Sequence, residues 1–195
     1  MPRIEAPTVA EHHAMRRAAI VSAARELLAD GGPAAVTPAA VAGRAGLART
    51  SVYQYFPSTD ALVSAAVEET FARANAGLAD AAAAADDAVG RLHAYVRHAL
   101  VLAANDHAPM RGWGPAELPP ACVARMRELH EAMVAPLRSA LAELGVADVP
   151  LATALVFGAV SAAAEVLEHG GDPAATAERI VAFVDAGLGL APVGL

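Results

Sequence analysis

Lysine is absent from this sequence: all 14 basic residues are arginine, so every cation is a planar fork rather than a mobile ammonium. Cysteine is nearly absent as well. Cys122 stands alone among 195 residues, which excludes an intrachain disulfide and suits a reducing, cytoplasmic setting. Aromatic residues make up only 4% against 56% hydrophobic, so a core has to be assembled from Ala, Val and Leu, which suit closely packed helices. No stretch of useful length alternates with a period of two, which argues against a sheet. The longest uncharged run, Val149 to Ala164, stops short of the ~18 apolar residues of a membrane span and reads as a helix buried in protein. Met1 to Arg17 carry Glu5, Glu11 and scattered arginine with no apolar segment, unlike a secretory signal.

A net charge of −7 argues at first against nucleic acid, which demands a basic footprint. The distribution answers the objection. Between Arg16 and Phe56 five arginines face Glu26 and Asp30, a net +3, which leaves −10 on the remainder. Only the N-terminal quarter is basic.

Punctuation predicts an all-α chain of about nine helices. The first runs from about Glu11 to Asp30 and stops at Gly31-Gly32; Thr37-Pro38 opens a second that ends near Ala45. Gly46 permits a sharp turn into a short third helix, Ala48 to Tyr55, and Ser58 starts a fourth that reaches about Ala79. The alanine-rich tract to Ala88 reads as helix end, linker or continuous helix. A fifth helix covers about Asp87 to Asn105, and His107 to Pro115 is a short helix or loop. A long helix follows from Pro120 to Leu144 with Pro136 as an expected kink, then one from Pro150 to Gly170 and a last one, capped by Asp172-Pro173, to about Ala186.

The informative stretch is Thr37 to Phe56, TPAAVAGRAGLARTSVYQYF. Two short helices joined by a glycine turn form a helix-turn-helix, whose second helix lies in the major groove. Spacing predicts that Ala40, Val41 and Leu47 pack against Ala48, Val52 and Phe56. The opposite face then presents Arg49, Thr50, Tyr53 and Gln54, with Ser51 and Tyr55 at its edges. Arginine reads guanine, glutamine reads adenine, and threonine touches a thymine methyl or a phosphate. Thr37, at a helix start, is placed to hold a phosphate.

At these residues the chain resembles the TetR/AcrR family of transcription regulators, over roughly Ile20 to Val63. Ala23-Ala24, Gly32, Thr37, Val41-Ala42, Ala45-Gly46-Leu47, Val52-Tyr53, Tyr55-Phe56 and Ser58 through Leu62 stand where that family's N-terminal motif has equivalents. The resemblance implies a DNA-binding domain over residues 1–57 and a helical ligand-binding and dimerisation domain over 58–195. It further implies a homodimer joined through the last two helices, and a repressor of a palindromic operator released by a small molecule. One departure matters: Thr59 stands where the family usually carries a lysine beside the DNA backbone. Without that cation the log-log salt slope falls by about one unit, although Thr59 still offers a hydrogen bond.

Between the fifth and eighth helices, large groups stand out against alanine: Tyr95, His98, Leu102, Met110, Trp113, Met126, His130, Met133 and Phe157. They are candidates to line a site for a partly apolar effector, with ordinary core packing as the competing assignment. Catalysis, cofactors and metals find no support. His130-Glu131 begins like a zinc-protease motif, but Val134 occupies the second histidine's position, and no Gly-x-Ser-x-Gly elbow occurs. A reading from another class stays open: a helical small-molecule carrier or protein-interaction module that has lost DNA reading.

Overall fold

A computed structural model describes residues 9–105 and 118–190, and among them every regular element is helical. The eight α-helices are α1 (Val9–Gly31), α2 (Pro38–Ala45), α3 (Arg49–Tyr55), α4 (Thr59–Ala83), α5 (Ala88–Asn105), α6 (Pro120–Glu143), α7 (Val149–Glu168) and α8 (Pro173–Leu188). A 3-10 turn at Pro33–Ala35 was not expected from the sequence. The predicted short element at His107 to Pro115 lies outside the described residues.

The helix ends follow local chemistry. The Thr37 side chain accepts from the Ala40 amide at 3.2 Å, and Ser58 and Asp172 likewise cap α4 and α8. Gly46 adopts φ 66, and the Leu47 amide donates back to the Ala42 carbonyl at 2.9 Å, closing α2 with the six-to-one bond a left-handed residue permits. The alanine-rich tract resolves into helix as far as Ala83, after which Asp87 accepts from the Gly90 amide at 2.7 Å at the start of α5. Alanine's propensity carries α4 past the expected end. Pro136 sits inside α6 without ending it.

The described chain divides into two compact units, residues 9–70 with 118–125 and residues 71–105 with 126–190. In the first, Ile20, Ala24 and Leu28 of α1 share a core with Val36, Val41, Val52 and Phe56. Its only thiol, Cys122, is buried; desolvation pushes its pKa up, Glu68 adds to the rise, and a hydrogen bond with Ser64 opposes it.

The core of the second unit joins Leu78, Leu92, Tyr95, Leu137, Leu141 and Val181 with one stripe of α7, Ala152, Val156, Val160 and Ala164, spaced four apart. Arg91 of α5 pairs with Glu143 of α6. Towards α8, His93 meets Asp185 at 2.7 Å and Arg97 donates to both oxygens of Glu178 at 2.7 and 3.0 Å. That hydrogen bonding holds the Glu178 carboxyl below its ordinary value near 4.5. A depressed folded-state value contributes stability above the ordinary range and loses it as pH falls through the folded value. The pair is exposed, so the effect is small. The melting-temperature gap between the parent and Glu178→Gln should therefore narrow as pH is lowered from about 7 to about 3, which a thermal titration checks.

The helix α7 corrects one expectation. Val149–Leu167 is long and apolar enough, by length and composition, to cross a membrane, because Glu165 is the single charge in it. Its second stripe, Leu151, Leu155 and Val166, is more than half exposed, as is Phe183 of α8.

Candidate nucleic-acid interface and ligand cavity

In α3 the inward side chains are Val52, fully buried, and Phe56 just beyond the helix, 5% exposed. Val41 is buried beneath them, while Ala40 and Leu47 are half-buried. Ala48 does not pack inward as expected. It is the N-cap residue of α3, extended at φ −71 and ψ 143, and it is exposed. The helix therefore begins at Arg49, and a residue outside the helix does not share its inward face.

Arg49, Thr50, Tyr53 and Gln54 are exposed on the outer face, and Ser51 and Tyr55 are half-buried at its edges. Arg49 donates to the Tyr53 hydroxyl at 3.4 Å, with its guanidinium 5.8 Å from that ring's centroid. This pairing, four residues apart, restricts both side chains. The Tyr55 ring lies tilted against His13 of α1, with centroids 4.5 Å apart, which the sequence did not reveal. Thr37 uses its oxygen as the helix cap, which leaves its own O–H as a donor. Thr59 is exposed at the first position of α4.

The positive footprint is smaller than the charge count implies. Arg44 is neutralised by Asp30 at 2.7 Å and approached by Glu26 at 3.9 Å. Arg17 lies over the Phe56 ring, 5.2 Å from its centroid, and helps cover the core.

The second unit contains a cavity of about 210 Å³ among α4, α5, α6 and α7. It brings together Tyr95, Leu102, Met126, His130, Met133 and Phe157 of the residues named from the sequence. His98 is not among its lining. The ring sits against Gly77, where an added Cβ would collide with Nε2. Met110 and Trp113 lie outside the described residues. The sequence reading missed Phe71 and Ser161, which also line the cavity. Phe71 had the same signal as the others, a large group in an alanine background; Ser161 had none. The Tyr95 hydroxyl donates to the Met133 carbonyl at 3.3 Å, and burial raises its pKa, so it stays protonated.

Comparison with known proteins agrees with the all-helical fold of the described residues. Residues 20–66 match the family model described as bacterial regulatory proteins, tetR family. Among solved structures, the chain is similar to a TetR-like transcriptional regulator from Rhodococcus sp. RHA1, with TM-score 0.71 and 20% identity over 97% of this chain and 98% of that one. It is also similar to a TetR/AcrR-family regulator from Thermobifida fusca YX-ER1, with TM-score 0.70 and 21% identity over 87% and 96%. A third is the regulator FadR from Bacillus subtilis in complex with stearoyl-CoA, with TM-score 0.72 and 18% identity over 87% and 98%. At such identities the likeness establishes the fold. Comparison with curated protein sequences finds no match.

Proposed function

We propose, on the premise that residues 20–66 match the model of the tetR family of bacterial regulatory proteins, that the chain is a ligand-responsive repressor binding a pseudo-palindromic operator as a homodimer in the cytoplasm. Residues 1–57 read DNA; residues 58–195 dimerise and bind the effector. The observation that carries the reading is the outer face of α3. Four hydrogen-bonding side chains stand exposed there on a helix whose other face is anchored by Val52.

In this reading Arg49 and Gln54 contact base edges, Tyr53 and Thr37 hold phosphates, and Thr50, Ser51, Tyr55 and Thr59 complete the docking surface. The dimer places two such helices about one turn of duplex apart, roughly 34–36 Å. The open stripe of α7, with Phe183 of α8 between two hollows of about 490 and 590 Å³, supports a second copy as its cover. Ala154, Gly158, Ala159 and Ala162 on that face allow close helix approach. An apolar effector enters the cavity of the second unit, and its unequal affinity for the two arrangements of the dimer releases the DNA. FadR bound to stearoyl-CoA supports an effector site in this fold.

Gel-shift titration of Tyr53→Ala tests the proposal. The variant should keep its fold and lose about 1–3 kcal/mol of operator binding. Unchanged affinity would sink the assigned reading face. The neutralised Arg44 favours the alternative of a binding module without DNA reading, and a selection from random duplexes that enriches no palindrome would establish it.

A further inference from the structure

The first unit has few cations free to meet a phosphate. Arg44 is held by Asp30, Arg17 lies over the Phe56 ring, and Thr59 carries no charge. Arg25 is half-buried, with its Nε shut off from solvent and unpaired. That leaves Arg49 on the reading face and Arg16 on α1. Every residue of α1 from Val9 to Ala19 is exposed, because burial on this helix begins only at Ile20. The first turns of α1 therefore project past the core of the unit.

Helical spacing and two contacts fix the side on which Arg16 stands. At about 100° per residue, His13, Arg16 and Arg17 fall on the same side of α1 as the buried Ile20 and Ala24, while Glu11 falls on the opposite side. Beyond the core, that side runs along the end of α3. The His13 ring lies against Tyr55, with centroids 4.5 Å apart, and the Arg17 guanidinium sits 5.2 Å from the Phe56 centroid. Arg16 belongs to the same turn as these two contacts. It is exposed and makes no hydrogen bond, ion pair or ring contact among the described residues. Tyr55 stands at the edge of the reading face, so the stripe on α1 continues that face. A duplex carries one phosphate charge per ~1.7 Å of its axis, and a free guanidinium fork complements it in both charge and shape.

We propose that the first turns of α1 form a second contact with the DNA backbone, in which Arg16 pairs with a phosphate and the contact of His13 with Tyr55 holds α1 beside the reading helix. The inference rests on the reading of α3 as the helix that meets DNA, and it adds a cation that Thr59 does not supply. Such a contact positions the duplex and carries no base information.

Fluorescence anisotropy of the full-length protein decides it, on two labelled duplexes: the palindrome enriched from random DNA, and the same palindrome with one base pair changed in each half-site. With one contact per protomer, Arg16→Gln should flatten the log-log salt slope by about two units, so that the parent's advantage shrinks about ten-fold between roughly 50 and 200 mM salt. The loss should be alike on both duplexes, and Arg16→Lys should restore the parental slope. Arg127→Gln removes an exposed arginine of the second unit and should leave the slope unchanged. An unchanged slope in Arg16→Gln, an equal change in Arg127→Gln, or a loss that differs between the two duplexes would each overturn it. So would an Arg16→Gln chain that melts well below the parent, because Arg16 would then be structural. Those failures leave the reading face of α3 standing. A selection that enriches no palindrome removes the regulator reading and this contact together.

Discussion

If the chain pairs and binds DNA as proposed, replacing Leu155 and Phe183 together by aspartate should convert the dimer into folded monomers and abolish operator binding at concentrations where the parent binds fully. Both side chains are open in the single chain, at 63% and 65% exposure, so neither contributes much to the fold of one protomer. A two-fold interface feels each substitution twice. Every lost apolar side chain removes about 1.5–3 kcal/mol of burial, and each introduced carboxylate must be desolvated or leave a gap. The dimer dissociation constant should rise by at least ~10³-fold, since each 1.4 kcal/mol is tenfold. Sedimentation velocity reads the assembly, and circular dichroism confirms the helices. A double variant that sediments as the parent does would show that this face is not the interface.

How much of this was legible in advance depended on the range of the interaction. Helix boundaries were readable wherever a side chain caps within its own turn, as Thr37, Ser58 and Asp172 do. Ala48 misled because spacing assigns a face only to residues inside a helix, and its backbone is extended. The free charge of the N-terminal unit was overstated because Arg44 meets Asp30 on a different helix, fourteen residues away. The cavity was half legible. Large side chains such as Tyr95, Met126 and Phe157 are conspicuous among alanines, but His98 is withdrawn by a glycine on α4 that makes room for its ring. Ser161 belongs to a pattern that a sequence alone cannot separate from a solvated position; only the cavity identifies it.

Two substitutions three residues apart should both weaken operator binding, for opposite reasons. Phe56→Ala removes a ring that is 5% exposed and roofed by Arg17, so it deletes core volume from the first unit. A buried Phe→Ala change costs about 3–5 kcal/mol, which for a chain of this length lowers the melting temperature by about 6–20 °C. Tyr53→Ala removes a ring that is 44% exposed and touched by Arg49, which is exposed too. Surface changes of that kind stay within about 0.5 kcal/mol, so its melting temperature should move by about 2 °C at most. Differential scanning calorimetry beside a gel shift separates the two. If Tyr53→Ala melted as early as Phe56→Ala, Tyr53 would be a structural residue and the outer face of α3 would lose its place as the reading surface. If Phe56→Ala melted with the parent, the ring would not anchor α3, and the geometry that presents the reading face would need another support.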